Sequence, residues 1–193
     1  MVNNIKAIRD LLSFPDENSF YFLEIIKRRK ENPDLDSHAR IVKDFYIYSL
    51  KEFDKVAVKA VDLCEEHNAR AYFRLNLRSS EKIAFQYLKR VSELLITKDF
   101  KHIHKAYNSV VGEFHADPVK KWVVDLDGEE AQPIFYTEVL NTIVKLNPEA
   151  IVALIPTKNG IHIISKPFNM LEFRKSYPNI DIHKDNPTIM YCK

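Results

Sequence analysis

A chain of 193 residues with 46% hydrophobic content is long enough for one domain with its own core. Its 29 Lys and Arg face 27 Asp and Glu, so a net charge of +2 excludes a global field as the means of holding nucleic acid. Three glycines exclude a glycine-rich phosphate loop, and the spacing of the two cysteines, Cys64 and Cys192, excludes a disulfide framework or a zinc pair.

The first residues read as helix, with Ile5, Ile8, Leu11 and Leu12 on one face. The run F20-Y-F-L-E-I-I-K-R-R-K30 reads as a second amphipathic helix ending at N-P-D, so residues 1–35 are expected to form an N-terminal helical extension. A boundary near 35 then separates it from a main domain over 36–193.

Residues 40–49, rich in β-branched and aromatic side chains, predict a strand, and 51–68 a helix through Phe53, Val56, Ala60, Val61 and Cys64. The stretch 70–78 alternates Ala71, Phe73, Leu75 and Leu77 with Arg70, Tyr72, Arg74, Asn76 and Arg78, a second strand. A serine-capped helix follows over 79–95, and 98–112 reads as helix or loop. A strand ending V-V-D-L-D127, a helix over 130–146, two strands over 150–155 and 160–165 and one or two short strands in the tail complete the order. This alternation predicts an α+β fold, a single mixed sheet flanked by helices. The opening residues lack the apolar core of a secretion signal and no segment is long enough to span a bilayer, so a cytoplasmic protein with no membrane partner is expected.

Asp125 and Asp127 stand two residues apart at a strand end, so both point to one face. Two such charges repel unless a cation lies between them. His162 follows the turn T157-K-N-G160, and Asp181 sits between Ile180 and Ile182. Three acids and a histidine are the equipment of a two-metal phosphoryl-transfer site using Mg²⁺ or Mn²⁺. The simpler reading is that Asp125 and Asp127 cap the next helix, that His162 is a satisfied core histidine, and that Asp185 or His183 replaces Asp181.

V124-D-L-D127, G160-I-H162 and I180-D181, in this order, resemble the three motifs of the archaeo-eukaryotic primase superfamily, and Y177-P-N-I-D181 is similar to a segment of its catalytic subunits. The resemblance covers residues 40–193 in layout and about a dozen positions in residue type. It implies an RRM-like primase catalytic core, with Asp125, Asp127 and Asp181 as catalytic metal ligands. His162, Lys158, Thr157, Gly160 and Lys193 would line the nucleotide, although Thr157 replaces the family's usual serine and Met190-Tyr191-Cys192 departs from the residues that often precede the terminal cation.

The activity so implied is addition of NTP or dNTP to a nucleic-acid 3′ hydroxyl on a single-stranded or template DNA. A replicative helicase or an accessory primase protein is the implied partner, and a phage or other mobile element the implied setting. Two alternatives remain open: a catalytically silent nucleic-acid-binding domain and a metal-dependent nuclease. Arg70, Arg74 and Arg78 share one strand face and are candidates for tracking a nucleic-acid backbone, or are simply solvated. The basic run at 27–30 reads as a solvated helix end, with a phosphate patch as its alternative. His102 and His104 spell a His-x-His nuclease signature, which requires a strand where helix or loop is expected.

Overall fold

A computed structural model describes residues 1–113 and 120–193. Its strands are β1 (Val2–Asn3), β2 (Ser19–Arg28), β3 (Ala39–Ile47), β4 (Arg70–Ser79), β5 (Trp122–Asp127), β6 (Ile151–Pro156), β7 (Gly160–Ser165), β8 (Asp181–His183) and β9 (Thr188–Cys192). The α-helices are α1 (Ile5–Arg9), α2 (Leu50–His67), α3 (Ser80–Ile96), α4 (Ile103–Glu113), α5 (Pro133–Leu146) and α6 (Met170–Ser176). The fold is α+β, but it has two antiparallel sheets in place of the single mixed sheet expected. Their orders are β1-β9-β4-β2-β3 and β6-β7-β5-β8.

The N-terminal helical extension is corrected. Only Ile5–Arg9 is α-helical there, and the apolar run at 20–26 belongs to β2, between β3 and β4 in the larger sheet. Phe20 and Phe22 pack on one side with Ile83, Val110 and Val111, while Tyr21, Leu23 and Ile25 enter the main core on the other. A strand buried on both faces loses its polar alternation, and its period then resembles that of a buried helix. Residues 29–38 are the loop joining β2 to β3, so the expected boundary lies inside one hairpin.

Local signals explain the other elements. Ser49 caps α2 by accepting from the Glu52 amide, and the Glu52 carboxylate accepts from the Tyr48 amide, so two donors at the helix start are satisfied. The helix ends at Asn68, whose φ of +48° is the left-handed cap. Phe53, Ala57, Ala60 and Cys64 form its buried stripe in the core of Tyr21, Leu23, Phe73 and Leu75. Ser79 caps α3 in the same way.

The smaller sheet contributes apolar residues to a core on each side. Val123, Ile155 and Ile164 join the main core, whereas Trp122, Val124, Leu126 and Ile163 pack with Val139 and Ile143 of α5 and Phe173 of α6. Helix α6 has no counterpart in the predicted elements; its seven residues are too few for a period to stand out. The buried Asn4 donates to the carbonyls of Pro156 and Ile189, joining the end of β6 to β9.

Register shifts fall between Ile25 and Ile26 against β3 and between Ala71 and Tyr72 against β9. Among the described residues no helix is long and apolar enough to cross a membrane.

A polar network fastens the segment between β8 and β9 onto β4. Arg78, fully buried, places Nη2 2.8 Å and Nη1 3.2 Å from the two carboxylate oxygens of Asp185, and donates to the carbonyls of Val111 and Asn76. The Asn76 amide donates to Asp185 and to the Lys121 and Lys184 carbonyls, and accepts from the Lys121 amide. Burial pulls the Arg78 guanidinium below its usual range, and Asp185 works against that shift. Asp185→Asn therefore leaves a buried cation without its counter-charge. It is expected to lower stability by about 3–5 kcal/mol, read as a reduced urea midpoint at unchanged slope.

Candidate active site

Antiparallel register assembles the site. Asp125 of β5 is the direct partner of His162 on β7 and of Asp181 on β8, and Asp127 is the partner of Gly160. Directly opposed residues lie on the same face, so Asp125, Asp127, Asp181 and His162 share one side of the sheet. Val123 and His183 are opposed on that side as well. The opposite side carries Val124, Leu126 and Ile163, which anchor it in the helix-facing core.

His162 is held at both ring nitrogens: Nδ1 lies 2.8 Å from Thr188 Oγ1 and Nε2 3.2 Å from Asp125 Oδ1. That Asp125 oxygen is buried and, despite this contact, makes no aligned hydrogen bond. His162, first through its hydrogen-bonding proximity, holds the Asp125 carboxyl below its usual range against the opposing effect of burial; the charge of His183 adds to the lowering. Thr157 Oγ1 is a second buried oxygen without a hydrogen-bond partner. The turn carrying it is closed by the Thr157 amide on the Gly160 carbonyl at 2.9 Å.

These groups open into a cleft of about 270 Å³ between the two sheets. Asp125, Asp127, Thr157, Lys158 and His162 line one side; Arg28, Lys30, Arg70 and Tyr72 line the other. Arg28 donates to the Tyr72 hydroxyl at 3.2 Å; that contact and the charges of Glu31 and Asp127 raise its pKa. A short acidic patch thus faces a wall of cations, the distribution that suits a polyphosphate carrying a divalent ion.

The remaining sequence candidates divide. Asp181 has the right face but is exposed and does not line the cleft. Among the described residues no three His, Cys, Asp or Glu side chains are gathered to hold a metal ion. Lys193 is directed elsewhere: its Nζ is 3.2 Å from Glu65 of α2, and the cations that line the cleft include Arg28, Lys30 and Arg70.

Arg70, Arg74 and Arg78 do not form an open face. Arg70 pairs with Glu31, Arg74 with Glu24 and Arg78 with Asp185, because β4 lies inside the sheet and its polar side is covered. Of the three, only Arg70 reaches the cleft. His102 lies in a 3-10 turn with Nδ1 2.6 Å from Asp99 and His104 in α4, so the strand that the nuclease signature needs is absent there.

Tyr72, Asn186 and Pro187 line the cleft without having been foreseen, whereas Arg28 and Lys30 enter through the phosphate-patch alternative for the basic run and His183 as the alternative to Asp181. The basic run at 27–30 lies at the end of β2 and in the loop after it, where a helix end was expected. No family model matches the chain, and no curated protein and no solved structure matches it.

A divalent cation fits what is present. Mg²⁺ is commonly held by one or two carboxylates, water and substrate phosphates, without a complete protein cage. The buried Asp125 oxygen lacks a hydrogen-bond partner, and Asp127 projects beside it on the same face.

Gly160 keeps this arrangement possible. A Cβ there would stand 1.9 Å from the Leu126 carbonyl oxygen and 2.9 Å from Asp127 Cα. Gly160→Ala is expected to cost about 1–3 kcal/mol and to disturb the acid pair, seen as a lower melting temperature and displaced amide resonances on β5. Asp125 gives a pH test. A carboxyl held low in the folded state stabilises above its ordinary range and loses that contribution as the pH falls through the folded value. In metal-free buffer the stability gap between wild type and Asp125→Asn is expected to shrink below about pH 4, followed by urea titration between pH 5 and 2.5.

Proposed function

We propose that this chain is a metal-dependent nucleotidyltransferase of the primase–polymerase type, joining a nucleoside triphosphate to a nucleic-acid 3′ hydroxyl. The observation that carries the reading is the buried Asp125 oxygen, 3.2 Å from His162 Nε2 and opposite a cationic wall. Asp125 and Asp127 would hold Mg²⁺ or Mn²⁺, with Asp181 available on the same face. When bound, the ion neutralises phosphate charge and lowers the cost of ionising the attacking hydroxyl.

The chain's own groups position the substrate. Lys158 from the β6–β7 turn and Arg28, Lys30 and Arg70 from the larger sheet converge on the cleft as phosphate contacts. His162, fixed by Thr188, presents Nε2 on the cleft side, where it supports Asp125 and lies within the space a phosphate would enter. Phosphoryl transfer needs little beyond such positioning and charge.

Asp125→Asn with Asp127→Asn is expected to abolish Mn²⁺-dependent nucleotide incorporation into a labelled primer–template while the far-ultraviolet circular dichroism stays unchanged. Retained incorporation would sink the assignment. His162→Ala is expected to raise the nucleotide KM at least tenfold, with a smaller change in kcat.

One observation favours a second reading, a catalytically silent nucleic-acid-binding domain: Asp181 stands apart from the cleft, so no gathered three-ligand set is present among the described residues. Calorimetric titration with Mn²⁺ and a nucleoside triphosphate separates the two, since only the enzyme binds them cooperatively. Degradation of the labelled primer in the incorporation assay, in place of its extension, would indicate a nuclease.

A further inference from the structure

The hairpin formed by β2 and β3 concentrates the chain's positive charge. Residues 27–43 hold six cations (Lys27, Arg28, Arg29, Lys30, Arg40 and Lys43) against the acids Glu31, Asp34 and Asp36, a net +3 where the whole chain carries +2. The acids are set apart from the strand cations Lys27, Arg40 and Lys43. Glu31 is already paired with Arg70, and Asp34 and Asp36 are confined to the connecting loop. Lys27, Arg29, Lys30, Arg40 and Lys43 form no ion pair among the described residues.

The placement of these cations matters as much as their number. Arg28 and Lys30 line the cleft, while Lys27 is the direct register partner of Arg40, and Lys43 that of Ile25. Register therefore turns Lys27 and Arg40 to one face and Arg28 to the other, so cations stand on both faces of the ribbon beside the cleft. Arg29, Arg40 and Lys43 are exposed. The hairpin is held in place: Asn32 donates to the Asn68 carbonyl, and Asn68 donates to the Glu31 carbonyl, at the end of α2. Unpaired cations on a fixed ribbon, contiguous with a phosphate-binding cleft, match a linear polyanion that enters that cleft.

We infer that the β2–β3 hairpin end is the surface that grips a single-stranded nucleic acid through its phosphates as it passes into or out of the cleft. This rests on the nucleotidyl-transfer reading for the identity of the polyanion. The grip is electrostatic and insensitive to sequence, with Arg29, Arg40 and Lys43 as contacts outside the site that meets the nucleotide.

The test is fluorescence anisotropy of a labelled 20-nucleotide oligothymidylate with the full chain between 50 and 200 mM NaCl. The triple variant Arg29→Gln, Arg40→Gln, Lys43→Gln is expected to weaken binding at least tenfold at the lowest salt and to reduce the slope of log Kd against log salt by about 2. Returning charge with Arg29→Lys and Arg40→Lys, with Lys43 kept, should restore most of both. A control variant removing equal charge elsewhere, Lys98→Gln, Lys101→Gln, Lys105→Gln, should change affinity less than threefold. Equal losses in the two triple variants, or no loss in the hairpin variant despite an unchanged melting temperature, would overturn the inference.

Primer extension distinguishes it from the reading beneath it. Wild-type protein that adds no nucleotide but binds through the hairpin would defeat the enzyme and leave the surface standing. Extension with the same oligonucleotide KM in wild type and hairpin variant would do the reverse.

Discussion

The site depends on one register, the pairing of Asp125 with His162 on one side and with Asp181 on the other. Slipping either neighbour by a single residue would turn its side chains to the opposite face of the sheet. The core opposes such a slip from both directions. Val124, Leu126 and Ile163 are committed to the helix-facing core, and Val123, Ile155 and Ile164 to the main core. The charged row is therefore placed by its apolar neighbours, and the repulsion between its acids is offset by a histidine and by the cations across the cleft.

That balance extends into the network around β4. Arg78, Asn76 and Asp185 look like surface residues in sequence, yet they fix the segment between β8 and β9, where Asn186 and Pro187 line the cleft. A buried ion pair of this kind contributes little net stability over an apolar substitute, but leaving it half made is costly. Its effect here is positional: it holds a loop with little apolar surface of its own against the strand that supplies Arg70 and Tyr72.

Much of this was legible from the residues alone. Strand alternation revealed β4, apolar period revealed α2, a serine cap marked the start of α3, and the two-residue spacing of Asp125 and Asp127 put both on one face. What failed, failed for identifiable reasons. Strand β2 is buried on both sides, so its period carried no information, and the cations after it were assigned to a helix end. The arginines of β4 were read as a solvent face because local sequence does not show what a third layer covers. Lys193 was placed by analogy of spacing, whereas the final strand directs it to Glu65. The division into two sheets was hidden because strands far apart in the chain, β1, β4 and β9, had to be paired before it could be seen.

The two register shifts on either side of the Ile25–Ala71 pair have one further effect. Strand β3 carries Val42 as an extra residue at this level, and β9 carries Met190. An inserted residue bends its strand and sharpens the twist, so irregularities on both flanks of one pair crease the sheet along a line. Arg28 and Arg70 lie on one side of that crease and Tyr72 on the other. The shape of the sheet that carries the cationic wall thus depends on Val42 and Met190, two residues that do not line the cleft.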